Sequence, residues 1–202
     1  MRIERASPAA ISYACQHFHY AGRSHYLFVG YNAYNDKGEW CGVVCFARGA
    51  INCAKEFGLA NGEAAELVRV ALNGKQAATS QVVMAAVRQF AREAPLVQVL
   101  VSYADKNQGH VGTIYQATNW LYVGQTTKRS QWQQPITGEL VHARNVTRTG
   151  TKRRADSGQL VRTHRQADLV EIRQQGKHKY LYPLTAAMRR QLTPHAQRYP
   201  KK

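Results

Sequence analysis

The sequence predicts a mixed α/β domain, and three observations predict it. Segments of strand-like alternation are interleaved with segments of helical spacing, the mark of a sheet flanked by helices. An apolar run, Leu96 to Val101, opens directly into Ser102-Tyr103-Ala104-Asp105-Lys106-Asn107-Gln108-Gly109-His110, and the carboxyl end of a strand in an open α/β sheet is where a ligand crevice forms. No second hydrophobic core and no internal repeat is read from the chain, and 202 residues suit one domain with a sizeable core.

Each element has its own signal. Ser7 reads as an N-cap and Pro8 as the first position of a helix to about His19, with Ile11, Cys15 and Phe18 on one face. Tyr26 to Tyr34 and Trp40 to Phe46 alternate as strands around an Asn35-Asp36-Lys37-Gly38 turn. Glu66 to Leu72 is a short strand. Asn73-Gly74-Lys75-Gln76 then turns the chain into a helix from about Ala78 to Glu93, closed by Pro95 and burying Val82, Val83, Ala86, Val87 and Phe90. Leu96 to Tyr103 is the central strand, Gly112 to about Ala117 a short helix, and Trp120 to Val123 the next strand. Further strands are expected at Leu140-Val141, Leu169 to Ile172 and Tyr180 to Leu184.

Charge narrows the partners. Lys+Arg number 28 against 12 Asp+Glu, a net charge of +16 with pI near 10.1. A field of that sign concentrates polyanions, nucleic acid first and an acidic membrane surface second. From residue 143 on there are fifteen Lys/Arg and three acids, so the excess gathers in a basic C-terminal extension, residues 143–202, packed on or continuing the domain of residues 1–142. Thr147 to Arg154 reads as an exposed basic loop, either contacting nucleic acid or a solvated face that helps solubility. Tyr180, Tyr182, Tyr199 and Trp132 either stack on bases or pack in an ordinary strand. No apolar run reaches membrane-spanning length and no signal-peptide core is seen, which points to the cytoplasm and away from a membrane. Cys15, Cys41, Cys45 and Cys53 lack zinc-knuckle spacing and read as reduced, mostly buried thiols.

Packing accounts for Val97, Val99 and Val101 but not for a hydroxyl, a phenol, a carboxylate and an imidazole together at the strand's exit. Tyr103 offers a ring to stack on a base, and Asp105 a carboxylate to accept from an amino group or act as base; the plain alternative is a buried tyrosine and a turn-forming aspartate. Arg69 is either an anion clamp or an edge residue with a snorkelling stem. His110 is an acid/base group or a polar cap for the helix at Gly112. Tyr115 is an acid or a core contact. Tyr31, His25, Ser80 and Trp120 are second-rank candidates.

Several blocks resemble the Mom family of phage DNA-modification proteins. They are His19-Tyr20; Gly30 with Gly42-Val43-Val44; Glu66-Leu67-Val68-Arg69-Val70 with Ser80; and, most specifically, Ser102-Tyr103-Ala104-Asp105 with Gly109-His110-Val111-Gly112-Thr113-Ile114-Tyr115-Gln116-Ala117 and Asn119-Trp120-Leu121-Tyr122. The resemblance covers about residues 8 to 125. It implies an acetyltransferase-like (GNAT) fold, a mostly antiparallel central sheet flanked by helices. The implied activity adds a methylcarbamoyl-type group to adenine N6 in duplex DNA and so blocks restriction enzymes. Catalytic roles then fall to Ser102, Tyr103, Asp105, His19, Tyr20 and Tyr115, and donor binding to Arg69, Lys75, Thr79, Ser80, His110 and Thr113. His19, Tyr20 and Asp105 form an N/O set for iron. Acetyl-CoA is the associated donor, but Asn73 to Ser80 has a single glycine and lacks the usual pyrophosphate-cradling motif. Another acyl or aminoacyl donor, such as an aminoacyl-tRNA, also suits a basic surface. Two other functions stay open: acylation of aminoacyl-tRNA, and a non-enzymatic basic DNA-binding protein.

Overall fold

The computed structural model describes residues 1–22, 29–48, 54–141 and 143–201. The start of the strand expected from Tyr26, together with His25 and Cys53, lies outside the described residues. The chain divides into two compact units, one of Met1–Ala104, His110–Gly124 and His178–Lys202, the other of Asp105–Gly109 and Gln125–Lys177. Residues 178–202, read from charge as part of a C-terminal extension, thus belong to the first unit.

The first unit holds a seven-stranded sheet made by β1 (Arg2–Arg5), β2 (Val29–Tyr34), β3 (Trp40–Ala47), β4 (Ala64–Leu72), β5 (Val99–Ala104), β6 (Leu121–Gln125) and β14 (His178–Pro183). The strand order is β1-β2-β3-β4-β5-β14-β6. Most pairings are antiparallel, and β4 with β5 is parallel. The mixed, mostly antiparallel sheet expected from the sequence is present. Two features were not foreseen: β1 ahead of the first helix, and β14 inserted between β5 and β6.

Helices cover both faces. In α1 (Pro8–Phe18) the Ser7 side chain accepts from the Ala10 N–H and Pro8 occupies the first turn. Ile11, Ala14 and Cys15 pack on Val43, Cys45 and Ala71. On the opposite face, α2 (Thr79–Glu93) buries Val82, Val83, Ala86, Val87 and Phe90 against Leu67, Leu100 and Phe46. Phe90 stacks on Phe46 with ring centroids 4.4 Å apart, and truncating such a ring costs about 3–5 kcal/mol. The short α3 (Thr113–Gln116) carries Tyr115. A further helix absent from the sequence reading, α4 (Ala186–Leu192), packs Met188 and Leu192 on Val99, Val101 and Leu181. Cys15, Cys41 and Cys45 are free and buried, and no helix among the described residues is long and apolar enough to cross a membrane.

The second unit is built of small β pieces. β7 (Arg129–Gln133), β8 (Leu140–Val141) and β13 (Val170–Gln174) make a three-stranded antiparallel sheet. β10 (Thr151–Arg153) and β11 (Leu160–Arg162) make a hairpin, while β9 (Val146–Thr147) and β12 (His164–Arg165) pair in parallel. Its buried apolar side chains, among the described residues, are Val141 and Leu169. Two sequence expectations are corrected here. Thr147 to Arg154 is not a loop: it enters β9, turns, and forms β10. The chain also does contain a repeat, because the β7–β8 and β10–β11 hairpins close in the same way 20 residues apart.

Candidate active site

β4 and β5 begin side by side and then part. Their parallel ladder joins Ala64–Glu66 to Val99–Val101, yet β4 continues to Leu72 and β5 to Ala104. Where the ladder stops, a side chain takes over: Ser102 Oγ lies 2.8 Å from the Leu67 carbonyl oxygen and 2.7 Å from the Tyr115 hydroxyl. Ser102 Oγ is the donor in both contacts, its single proton shared between the Leu67 carbonyl and the Tyr115 hydroxyl oxygen. Ser102 is buried, as is Tyr115, whose ring centroid lies 5.0 Å from those of both Trp120 and Tyr180. Burial pushes the Tyr115 phenol up to about 12; the charges of Tyr20 and Glu66 act in the same direction, against the Ser102 hydrogen bond. At neutral pH it is therefore a protonated donor.

Tyr115 is held there by what precedes it. Gly112 has φ +79 and lies against the ring of Tyr180, where a Cβ would not fit. The Tyr180 hydroxyl donates to the Val111 carbonyl, and Gln116 Nε2 donates to both Val111 O (2.9 Å) and Tyr180 Oη (3.2 Å). Tyr180 is fully buried, so it is a core support and not a base-stacking surface.

Strand alternation divides the expected cluster. Leu100 and Ala104 face α2, and Ser102, between them in parity, reaches Tyr115 on that face. Tyr103 follows Val99 and Val101 onto the other face, where it packs with the cluster around Leu181, Met188 and Leu192. Arg69 is not at an edge, since β4 lies between β3 and β5. It pairs across from Cys45, on the face covered by α1, and its guanidinium donates to the Val68 carbonyl at 2.7 Å.

At the end of α1, His19 and Tyr20 stack with centroids 4.3 Å apart, and Tyr20 meets the His110 ring edge-on at 5.6 Å. Tyr20 is 55% exposed. His19 Nδ1 accepts the Ala21 N–H at 3.1 Å, so the neutral ring carries its proton on Nε2. Asp105 belongs to the second unit, where its carboxylate accepts from Asn107 N (3.0 Å) and Nδ2 (3.1 Å) and pairs with Lys177 Nζ at 3.0 Å. Burial pushes the Asp105 carboxyl up, but Lys177 and the Asn107 donors outweigh it and hold the group below the usual carboxylate range. Among the described residues no three of His, Cys, Asp and Glu gather as metal ligands. His19 and Tyr20 belong to the first unit and Asp105 to the second.

The donor-binding candidates are spread. Lys75 is exposed in the turn before α2, its N–H donating to Asn73 Oδ1 at 3.0 Å. Thr79 and Ser80 form the first turn of α2, which starts at Ala78 without a side-chain cap, an arrangement favourable to an anion. Gln76 Nε2 donates to Thr79 Oγ1 at 3.0 Å, while Gln76 Oε1 is buried without a partner. Thr113 is exposed at the start of α3. Of the second-rank candidates, Tyr31 donates to Glu93 at 2.9 Å in a structural contact, and Trp120 is a fully buried core ring. Glu66, half-buried on β4 at the parting point, and Gln116 carry more of the site than the sequence indicated; a carboxylate inside an apolar strand was the available signal.

No curated protein matches the chain. The sequence model of the Mom protein family matches residues 1–201.

Proposed function

We propose, from the premise that the chain belongs to the Mom protein family, that it is an acetyltransferase-like enzyme that adds a methylcarbamoyl-type group to adenine N6 in DNA, protecting that DNA from restriction. The family is one of phage DNA modification at adenine, and the match over residues 1–201 is the observation that carries the reading. The charge of +16 supports DNA as the polyanion. The parted parallel strands and the uncapped start of α2 support an acyl carrier as donor, acetyl-CoA or an aminoacyl analogue. When bound, that donor supplies an activated carbon.

The chain's own residues supply position and protons. Adenine N6 is a poor nucleophile, its lone pair delocalised into the ring, and a duplex hides it. The base must be flipped out at a cost of a few kcal/mol and held by stacking. In this scheme the exposed Tyr20 face and the neighbouring His110 ring are the stacking surface, in place of Tyr103. As N6 gains carbon it loses a proton, and the leaving group gains one. Tyr115, kept protonated by burial and oriented by Ser102, is the donor of that proton. Burial keeps the phenol from ionising, and the Glu66 charge adds to it.

DNA from cells expressing the chain, digested to nucleosides and analysed by mass, tests this. A mass-shifted deoxyadenosine is expected, falling on the order of 100-fold with Tyr115→Phe. Unaltered deoxyadenosine with wild-type protein overturns the assignment, and accompanying blockage of translation would point to an aminoacyl-tRNA substrate instead.

A further inference from the structure

The second unit contains a duplicated hairpin. Gln133-Gln134-Pro135-Ile136-Thr137-Gly138-Glu139-Leu140-Val141 aligns without gaps on Arg153-Arg154-Ala155-Asp156-Ser157-Gly158-Gln159-Leu160-Val161. The backbone repeats with it. Gln133 pairs with Leu140 and Trp132 with Val141; Arg153 pairs with Leu160 and Lys152 with Val161. The Gln134 N–H donates to Glu139 O and the Gly138 N–H to Gln134 O, both at 2.9 Å, and Arg154, Gln159 and Gly158 make the same two bonds at the same length. Both glycines have positive φ, +71 and +65. Even the side-chain clasp recurs: Gln133 Nε2 donates to Gly138 O at 2.9 Å, and the Arg153 guanidinium to Gly158 O at 3.1 Å. What the copies do not share is charge, since two glutamines in the first are two arginines in the second. In both, the leucine two places after the glycine is exposed, 55% and 59%, a placement that hairpin stability does not require.

We propose that the β10–β11 hairpin is the element that seats in a groove of duplex DNA, with Arg153 and Arg154 on phosphates and Leu160 against the base and sugar edges. This rests on the DNA-modification reading and names its docking device. A two-stranded ribbon fits the major groove, about 12 Å wide. Residues 153–160 are all exposed, and the root of the arm is fixed. Thr147 Oγ1 lies 2.7 Å from Thr163 Oγ1 and donates to Thr151 O at 3.2 Å, while the Thr163 N–H donates to Gly150 O at 2.8 Å. A fixed root presents the arm with little ordering cost. Guanidinium groups match phosphate oxygens in geometry, and the one acid of the arm, Asp156, accepts from Ser157 at 3.1 Å. The unit as a whole has twelve Lys/Arg against five acids.

The test uses the full chain, a short labelled DNA duplex and a salt titration. R153A/R154A should weaken binding roughly tenfold or more and flatten the log–log salt slope by about 2, since each phosphate contact contributes about 0.9. R153K/R154K should recover most of both. L160S should weaken binding with the slope unchanged. R189A/R190A, exposed on α4 of the first unit, should change affinity less than about twofold, the size of a non-contacting surface change. If wild-type protein modifies DNA in cells and R153A/R154A binds duplex as wild type does, the hairpin assignment falls and the modification reading stands. If the hairpin variants lose duplex binding but deoxyadenosine is never altered, the hairpin stands and the modification reading falls. Tighter binding to an RNA stem than to the DNA duplex overturns the choice of partner.

Discussion

Replacing Gly112 by alanine measures how tightly the site is built. The residue sits at φ +79, and an added Cβ would lie 2.6 Å from Tyr180 Cζ and 2.8 Å from its Oη. The left-handed backbone alone costs an L-residue about 1–2 kcal/mol. Tyr180 has no room to yield: its ring is fully buried, and its hydroxyl is bound to the Val111 carbonyl and to Gln116. Forcing it aside is overpacking, worth about 1–3 kcal/mol. The total is about 2–5 kcal/mol, and at about 2–4 °C per kcal/mol for a chain of this size the melting temperature should fall on the order of 10 °C. Gly22→Ala is the control, because Gly22 has a similar φ of +60 but nothing within 4 Å of a Cβ, so only the backbone term remains. Thermal unfolding followed by circular dichroism separates the two. Equal shifts for both variants would refute the packing explanation of Gly112. Deoxyadenosine modification should fall with Gly112→Ala as well, because Gly112 O receives the Tyr115 N–H at 2.9 Å.

Other perturbations have defined outcomes. Ser102→Ala strands the Leu67 carbonyl and the Tyr115 hydroxyl, and should lower unfolding free energy by about 1–3 kcal/mol in a urea titration. Tyr31→Phe should cost about 1 kcal/mol and leave DNA modification unchanged, since its hydroxyl serves Glu93 alone. Asp105 has a folded-state carboxyl held below the ordinary 3.8; its contribution to stability is therefore present at neutral pH and lost as pH falls through and below that value. Asp105→Asn should remove that part of the acid sensitivity, read as a flatter dependence of the urea midpoint between neutral and acid pH. Hydrogen exchange should be fastest in the second unit, whose described buried apolar side chains are Val141 and Leu169, and slowest in β4 and β5.

The sequence by itself determined the order of most elements. Periodicity located α1, α2, β3, β5 and β14 to within a few residues, because a buried stripe leaves a local imprint whatever it packs against. Charge counts likewise exposed the basic bias, but the sequence reading found no repeat: the 20-residue offset between Gly138-Glu139-Leu140-Val141 and Gly158-Gln159-Leu160-Val161 is short and its charges differ, and the shared hairpin backbone revealed it. Alternation even fixed that Ser102 and Tyr103 must point to opposite faces, although a list of polar residues at a strand's exit conceals it. What only the tertiary structure decided was which strands are neighbours. β14 enters between β5 and β6 from about 75 residues away in the chain, and β4 separates from β5 after Glu66. Alternation records a residue's side of the sheet but not its partner strand. Partners are chosen by pairing over long sequence separations, where no local pattern bears on the outcome, and it is that pairing which puts Ser102 beside Tyr115.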